Sequence, residues 1–476
     1  MAGVLLGFLP VMAQRTFSIE EVIERALAQS PFAKQAETRK ENRYWQYRSF
    51  KTNYNPQLRL NGGLPSYSQS FIPVRQPDGS IVFQSVNQTN STANLGLEQP
   101  LHWTGGTISA NTNFNYFNDR ERDFQSWNGT LLNVQLNQPL FGFNQLRWDR
   151  QTEPLRYEES KREFVEQMES ISQEAADRFF GVLEAQTRQQ ISSFNLSNND
   201  TIYKIEQGRY NIGTTSQDKL LQVELQLLRS RQDLAQAKLD LENASLALRI
   251  YLGLSDSDQI ALELPENIPQ FSIDLEEALQ YAKQNRAAYL AFERRRLEAQ
   301  RDVAQAKASR FQTSLIASYG LNNTAPNTSE LYNAPQRQQQ ANITFSLPVI
   351  DWGRNKAMMR TAIANKKLND YIITQEEVNF EQEIITQVRQ FELLRLQLEI
   401  TRKSDQVAQE RYKVAQNRYL IGKIDITNLN IALTEKDDAK RGYIQALRSF
   451  WTAYYNLRRL TLYDFANRKL LYKSEL

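Results

Sequence analysis

The chain has 476 residues, with 57 Lys or Arg against 54 Asp or Glu, so its formal net charge is only +3. A surface that binds nucleic acid needs a clear basic excess, and this balance argues against one. The sequence contains no cysteine, which excludes disulfides, thiolate metal sites and an acylated N-terminal cysteine. The single histidine, His102, cannot form a metal cluster alone, so we expect neither a metal nor a cofactor.

Residues 1–13 have the pattern of a signal peptide. Residues 4–9 form a short apolar stretch, and residues 11–13 offer small side chains to a peptidase, which would leave Gln14 as the mature N-terminus. The basic segment that normally precedes such a stretch is absent, so a buried N-terminal strand is the alternative. No other stretch approaches the roughly 20 apolar residues of a membrane helix, so any membrane span would have to be built from strands.

The sequence contains an internal repeat. Phe17-Ser18-Ile19 recurs as Phe271-Ser272-Ile273 at an offset of 254, and later motifs recur at a constant offset of 209. The later pairs are Gln138-Pro139-Leu140 with Leu347-Pro348-Val349, Arg209-Tyr210-Asn211-Ile212-Gly213 with Arg418-Tyr419-Leu420-Ile421-Gly422, and Leu248-Arg249 with Leu457-Arg458. The constant offset predicts two repeats of one architecture, at 14–264 and 265–476, with 45 additional residues before Pro139 in the first.

Alternating apolar and polar residues predict strands at about 56–140 and about 312–350. The first repeat has four alternating blocks and the second has two, so the additional residues form an extra hairpin that turns at Thr104-Gly105-Gly106. The polar face carries Asn, Gln, Ser and Thr rather than Lys and Glu, and aromatic residues lie near the strand ends. This pattern favours an outer-membrane barrel over a soluble β-sandwich.

Very long helices follow the strands in each repeat. Helix-forming residues run from about Leu155 to Tyr210 and from about Asn355 to Leu420 without a proline, which predicts rods roughly 80 Å long. Each rod ends at a glycine, and a return helix follows at Ser216–Leu252 and Asp425–Leu462.

The return helices carry the heptad pattern of a coiled coil. In the first repeat the apolar and small residues at heptad spacing are Leu220, Val223, Leu227, Ser230, Leu234, Ala237, Leu241, Ala244 and Leu248, and in the second the small stripe is Ala432, Ala439, Ala446 and Ala453. Each repeat therefore encodes an antiparallel hairpin, at 146–252 and 353–463. The hairpin tips are the Arg-Tyr-x-Ile-Gly turns, with Gly213 and Gly422 as helix caps.

Strands joined directly to such long helices, twice in one chain and behind an export signal, resemble the TolC family of outer-membrane efflux proteins. The resemblance covers residues 17–464 and rests on the repeated openings, the strand-to-helix junctions at Pro139 and Pro348, and the two tips. It implies a mixed α/β membrane protein, a homotrimer whose strands close one transmembrane β-barrel that continues into a long periplasmic α-helical coiled-coil barrel. With six strands per protomer in the wall the barrel would have eighteen strands, and with four it would have twelve.

The resemblance also implies a function and its sites. The family forms passive exit ducts in the outer membrane of Gram-negative bacteria, for substrates delivered by an inner-membrane pump and a periplasmic adaptor in tripartite efflux or type I secretion systems. By position, adaptor docking would fall on the tip residues Gly213, Thr214, Thr215, Gly422, Lys423 and Ile424. The alternative is that these residues are only turns, in which glycine supplies the left-handed conformation.

Relatives often carry a ring of acidic residues on the return helix just beyond the tip, where it gates cations. Here the equivalent positions are Lys219, Gln222, Asn428 and Ile431, so that ring is absent and the gate candidates are Asp218 and Asp425. Asp425 follows the turn directly, and it is equally expected to cap the return helix.

Two other functions compete with a channel. Acidic pairs such as Glu376-Glu377 and Asp437-Asp438 lie in charged helical runs, and no phosphate loop, nucleophile elbow or metal spacing occurs, so we expect no enzyme. An exported coiled-coil scaffold without channel activity would explain the heptads, but it would leave the alternating strands unexplained.

Overall fold

The computed structural model describes residues 16–254, 261–265 and 267–473, so the predicted signal peptide lies outside the described residues. Its helices occur in pairs of equal length, 11, 22, 67 and 36 residues, one member in each repeat. They are α1 (Ile19–Gln29), α2 (Pro31–Thr52), α3 (Gln145–Asn211), α4 (Gln217–Leu252), α5 (Leu275–Asn285), α6 (Ala287–Ala308), α7 (Arg354–Leu420) and α8 (Ile426–Thr461). None of these helices contains a stretch long and apolar enough to span a bilayer.

The helix starts correct one detail of the repeat. The hairpin helices keep the offset of 209 that the motifs predict, but α1 and α5 are offset by 256 rather than 254. The reason lies in the caps: Ser18 caps α1 through Glu21 N, whereas the residue that caps α5 is Asp274, through Glu277 N. The two offsets therefore differ by 47 rather than 45, and the two Phe-Ser-Ile triplets do not hold equivalent positions.

Helix α3 begins ten residues before the predicted start and continues through Pro154. Proline in a helix interior normally removes one hydrogen bond, which is why the sequence favours a start after it. The first turns of α3 are held by other contacts: the Tyr54 hydroxyl donates to Leu146 O at 2.9 Å, and Asn144 Oδ1 accepts from Arg147 N at 3.0 Å.

Six strands form one antiparallel sheet in the order β2-β3-β4-β5-β7-β8. The strands are β2 (Gln57–Arg75), β3 (Ile81–Leu101), β4 (Gly106–Asp119), β5 (Phe124–Pro139), β7 (Gln312–Ala325) and β8 (Gln336–Ser346). Short two-residue pairs join β1 (Thr16–Phe17) to β6 (Ala261–Leu262) and β9 (Tyr463–Asp464) to β10 (Lys469–Leu470). Within the described residues, β2 and β8 each have a strand neighbour on one side only.

The added hairpin of the first repeat lies inside this sheet. Leu101 pairs with Gly106 across the turn between β3 and β4, and Gly105 in that turn has a φ of +78°. A Cβ added at Gly106 would lie 2.9 Å from the backbone oxygen of Asn137, so this end of the turn also favours glycine for close packing.

The chain divides into two compact units. Unit 1 contains the residues up to Glu41, Ser160–Tyr289 and the residues from Glu376 onward, and unit 2 contains Asn42–Glu159 and Leu290–Gln375. All six strands of the large sheet belong to unit 2, and both hairpin tips belong to unit 1.

Candidate functional site at the hairpin tips

The core of unit 1 fixes the two helical hairpins. Phe179 and Phe180 of α3, Phe391 of α7, Phe450 of α8 and Leu248 of α4 lie in one buried cluster. Such a cluster of aromatic and branched side chains fixes the helices against one another, because protein interiors are close-packed.

The predicted heptad seam of α4 is confirmed over much of its length. Its buried residues at the predicted positions are Leu220, Val223, Leu227, Ser230, Ala237 and Leu248. In α8, Ala432, Ala446 and Ala453 are likewise buried. Small residues in this seam allow neighbouring helices to approach closely, and Asn199 Nδ2 donates to Ser230 Oγ at 2.7 Å across it.

The first tip ends α3 with a Schellman motif. Gly213 has a φ of +75°, and its N–H donates to Tyr210 O at 2.9 Å. Thr214 N donates to Arg209 O at 2.9 Å, and the Thr214 hydroxyl donates to the same carbonyl at 3.0 Å. These bonds satisfy carbonyls that the end of a helix leaves without partners.

The second tip repeats this geometry. Gly422 has a φ of +72°, its N–H donates to Tyr419 O at 2.9 Å, and Lys423 N donates to Arg418 O at 2.8 Å. The prediction that both glycines are left-handed helix caps is therefore confirmed. Each glycine follows an exposed isoleucine, Ile212 at 74% and Ile421 at 66% relative exposure. The sequence prediction left these isoleucines out of the docking set, although their recurrence at the 209 offset could have pointed to them.

The two gate candidates occupy different places in their hairpins. Asp425 is the N-cap of α8, and its carboxylate accepts from Asn428 N at 2.9 Å. Its counterpart at the 209 offset is Ser216, which caps α4 and accepts from Lys219 N at 3.4 Å. Asp218 is instead the second residue of α4 and is exposed. The capping role of Asp425 is thus confirmed, and gating stays a prediction for both aspartates.

A polar cluster that the sequence did not predict joins α3 to α7 close to the tips. The Tyr419 hydroxyl donates to Glu206 Oε1 at 2.9 Å, and Arg209 Nη1 lies 2.7 Å from the same oxygen. The Arg209 guanidinium also lies over the Tyr419 ring, 5.6 Å from its centroid. Glu206 and Tyr419 are 213 residues apart, so no local pattern could have paired them.

The cluster keeps Glu206 charged and Tyr419 protonated. Burial alone would raise the pKa of Glu206, but hydrogen bonds from Tyr419, Arg209 and Thr215 outweigh it and hold this pKa below its ordinary value. Burial and the hydrogen bond to the Glu206 carboxylate raise the pKa of Tyr419 to about 12. The cluster therefore carries an ionised acceptor and neutral and cationic donors at neutral pH, and it links the tips of the two repeats.

The predicted junction prolines lie in unit 2, whereas both hairpin tips lie in unit 1. Pro139 is the last residue of β5 and pairs with Ser314 of β7. Pro348 lies in the segment between β8 and α7. In that segment the Asp351 carboxylate accepts from Gly353 N at 2.9 Å and Asn355 N at 3.0 Å, which satisfies donors at the start of α7. Across the residues that the structure describes, no group of three or more His, Asp or Glu is placed to hold a metal ion.

The fold matches those of solved outer-membrane channels at low sequence identity. The CmeC outer membrane channel of Campylobacter jejuni has a TM-score of 0.67 at 16% identity, covering 96% of this chain and 87% of that chain. VceC of Vibrio cholerae has a TM-score of 0.65 at 17% identity, covering 93% and 95%. The open-state MtrE outer membrane channel of Neisseria gonorrhoeae has a TM-score of 0.62 at 17% identity, covering 93% and 88%.

No functionally curated protein sequence matches this chain significantly. The sequence profile of the family described as outer membrane efflux protein does match, over residues 22–254 and 275–461. The two matched segments contain all four long hairpin helices and both tips. The chain therefore belongs to the outer membrane efflux protein family, the TolC-like channels of the outer membrane.

Proposed function

We propose that this protein is the outer-membrane exit duct of a tripartite efflux or type I secretion system in a Gram-negative bacterium. Membership of a family of channels supports a passive role, in which an inner-membrane pump delivers the substrate through a periplasmic adaptor. The helical unit 1 would lie in the periplasm, and the sheet of unit 2 would lie in the outer membrane.

The observation that carries this proposal is the sheet with two open edges. Edge strands β2 and β8 carry exposed apolar side chains, among them Leu58, Leu60 and Leu64 at 66–76% exposure, and Ile343 and Phe345 at 61% and 74%. Lipid does not tolerate an unpaired edge, and six strands cannot close a wide barrel alone. A homotrimer in which β8 of one copy pairs with β2 of the next would close a barrel of eighteen strands.

The strand lengths support a membrane-spanning wall. A tilted transmembrane strand needs about 9–11 residues. The shortest of the six strands, β8, has 11 residues, and the longest, β3, has 21. The extra length of β2 and β3 would extend beyond the bilayer.

We expect the protein to be extracted from membranes only by detergent, and to be a trimer when extracted. Light scattering on the purified protein measures the mass, and planar bilayers measure whether it conducts. A water-soluble monomer would contradict the proposal, and a detergent-extracted trimer without conductance would favour the exported scaffold instead.

We further propose that the tips bind the adaptor, through Gly213, Thr214 and Thr215 and through Gly422, Lys423 and Ile424. The two tips share one backbone geometry and present exposed apolar side chains beside it, and this supports a repeated docking surface.

The gate prediction concerns Asp425. In a closed trimer three copies of this carboxylate would converge, and like charges a few Å apart repel by roughly 1 to 4 kcal/mol per pair. Asp425→Asn keeps the cap and removes the charge, so we expect changed single-channel conductance or cation block in planar bilayers with little change in melting temperature.

Two variants control this experiment. Asp425→Ala removes both cap and charge and should cost about 1 kcal/mol of stability. Ser216→Ala removes the equivalent cap of α4 without a change of charge, so it should alter stability alone. Unchanged conductance and cation block in the Asn variant would reject Asp425 as the gate and leave Asp218 to be tested in the same way.

A further inference from the structure

The strands and helices of unit 2 meet at one end of the large sheet. Helices α2 and α6 lead into β2 and β7 there, and helices α3 and α7 follow β5 and β8 at the same end. The strand register fixes this arrangement, because Pro139 pairs with Ser314 and Gln312 pairs with Ser346. The turn between β3 and β4 lies there too. We call this the junction end of the sheet.

A pocket of about 490 Å³ opens at the junction end. Pro139, Phe143 and Phe345 supply apolar surface to its wall, and the polar lining comes mainly from the first residues of β7 and the last residues of β8. Backbone contacts hold these walls together. Leu140 N donates to Thr313 O at 2.9 Å, and Thr313 pairs with Phe345. The pocket is therefore formed by the ends of paired strands.

The hydroxyl of Thr313, which lines this pocket, has no hydrogen-bond partner among the described residues. Thr313 is only 9% exposed, and its Oγ1 is buried. The neighbouring hydroxyls are paired, since Ser314 Oγ and Thr344 Oγ1 lie 3.2 Å apart. Buried polar groups are normally hydrogen-bonded, because an unpaired group loses water without compensation. A ligand in the pocket would supply the partner that Thr313 lacks.

Two basic side chains flank the pocket. Ala308 and Ser309 line it, Lys307 directly precedes them, and Arg310 directly follows them. Both basic side chains are exposed, and neither has an acidic partner in the part of the chain that the structure describes. A negatively charged group in the pocket would therefore meet two uncompensated cations.

Basic residues are concentrated throughout the junction end. Taken together, the ten residues of each helix nearest the sheet and the residues that connect them to the strands are 43–56, 140–154, 299–311 and 347–363. These segments contain eleven Lys or Arg against four Asp or Glu, an excess of seven, whereas the whole chain has a net charge of only +3. The positive charge is thus localised where the helices meet the sheet.

Exposed aromatic side chains lie at the same level. They are Trp103 in the turn between β3 and β4, Phe141 after β5 and Trp352 before α7. Trp352 is 96% exposed and has a φ of +51°, a conformation that bulky residues rarely adopt. Phe141 also contacts Phe311, with ring centroids 5.8 Å apart. Aromatic side chains grouped at one end of membrane-spanning strands are typical of the boundary between lipid and water.

We propose that the junction pocket binds the headgroup of an anionic phospholipid from the periplasmic leaflet of the outer membrane. The inference rests on the proposed membrane-spanning sheet, whose junction end would lie at that leaflet. The phosphodiester would accept a hydrogen bond from the Thr313 hydroxyl and would lie close to Lys307 and Arg310. The glycerol and the start of the acyl chains would contact Phe143 and Phe345.

The surroundings of the pocket favour a lipid over a soluble anion. A basic segment beside a membrane-spanning element attracts anionic lipid, because the leaflet concentrates negative charge at its surface. A soluble phosphate would use the hydroxyl and the two cations but would gain nothing from the apolar wall and the aromatic side chains around it.

Native mass spectrometry of the full chain, purified as a detergent-solubilised trimer, counts the bound lipids. The probes are phosphatidylglycerol, zwitterionic phosphatidylcholine and water-soluble glycerol 3-phosphate, each titrated separately. We expect one tightly held phosphatidylglycerol per copy of the chain, weaker binding of phosphatidylcholine and no retention of glycerol 3-phosphate.

Two variants test the named residues. Thr313→Val removes the hydroxyl with little change of shape and should weaken phosphatidylglycerol binding roughly fivefold. Its melting temperature without lipid should not fall, since the hydroxyl has no protein partner to lose. Lys307→Gln combined with Arg310→Gln should weaken binding roughly tenfold or more. The matched control is Arg231→Gln with Lys238→Gln on α4 in unit 1, which removes the same charge and should leave binding unchanged.

Four results would overturn the lipid site. They are equal binding of phosphatidylglycerol and phosphatidylcholine, retention of glycerol 3-phosphate, an equal loss of binding in the α4 control, and unchanged binding in both junction variants. A fall in the melting temperature of lipid-free Thr313→Val would also contradict it, because the hydroxyl would then have a partner within the protein. All of these results leave the proposed channel intact, whereas a water-soluble monomer would reject the proposed function itself.

Discussion

Replacing either Gly213 or Gly422 with proline is expected to abolish efflux while trimers remain in the outer membrane. Proline fixes φ at about −65°. The two glycines require φ values of +75° and +72°, which proline cannot adopt. Proline also removes the N–H that bonds to Tyr210 O or Tyr419 O at 2.9 Å, so the Schellman motif would be lost and the tip distorted. No strand of the large sheet belongs to unit 1, so assembly through the strands should survive.

Asparagine provides the matched control at the same positions. It tolerates the left-handed conformation and retains the N–H, so Gly213→Asn and Gly422→Asn should keep the tip and most of the activity. Dye or drug efflux in a complemented deletion strain measures function, and a heat-modifiable trimer band measures assembly. Normal export by both proline variants would remove the tips from the mechanism.

The two helical hairpins can be predicted from the sequence because their pattern is periodic and occurs in both repeats. A fixed offset and a heptad pattern hold over more than a hundred residues, and the helix pairs of equal length follow from them. Local signals were less reliable. The Phe-Ser-Ile triplets placed the α5 opening two residues away from the true cap at Asp274, since Asp and Ser cap helices equally well.

The parts that sequence reasoning missed depend on contacts between distant residues. By local rules Pro154 should end or break a helix, yet α3 continues through it. Close to this proline, Arg156 forms ion pairs with Glu153 at 2.7 Å and with Glu298 of α6 at 2.5 Å. The hydrogen bond between Glu206 and Tyr419 near the tips could not be predicted either, because a single Glu on one helix and a single Tyr on another form no sequence pattern. The same holds for the ion pairs of Arg458.

Arg458 of α8 lies at the centre of a buried ionic cluster in unit 1. Its Nη2 is 2.9 Å from Glu169 Oε1 of α3, and its Nη1 is 3.4 Å from Asp464 Oδ2. The guanidinium also lies over the rings of Tyr454 and Tyr455, at 5.6 and 5.2 Å. The Asp464 carboxylate has further donors, including the Tyr454 hydroxyl at 2.9 Å. Glu169 Oε1 accepts from Arg458, whereas Glu169 Oε2 is buried without a hydrogen-bond donor among the described residues.

Arg458→Met should therefore leave the Glu169 carboxylate buried with its principal counter-charge gone. Removing one partner of a buried ion pair typically costs about 3–5 kcal/mol, because the remaining charge is desolvated and uncompensated. We expect a large fall in the temperature at which the detergent-solubilised protein loses its helical circular dichroism. The control is Arg441→Met, which breaks an exposed pair with Asp438 and should cost at most about 1 kcal/mol.

The pH dependence identifies Glu169 as the cause. Burial raises the pKa of Glu169 above its ordinary value in the folded protein, and the Arg458 charge opposes this rise, so the Met variant should raise that pKa further. When the pKa of an acid is higher in the folded protein than in the unfolded chain, folding favours its protonated form. The stability that this acid contributes is then fully present below its unfolded pKa and is lost as pH rises through its folded pKa. The loss of stability that the Met variant owes to Glu169 should therefore be largest at neutral pH and should shrink in acid.

A double variant separates the charge from the packing. Adding Glu169→Gln to Arg458→Met should restore much of the lost stability at neutral pH. A double variant as unstable as Arg458→Met alone would show that the cost comes from lost packing on the tyrosines instead.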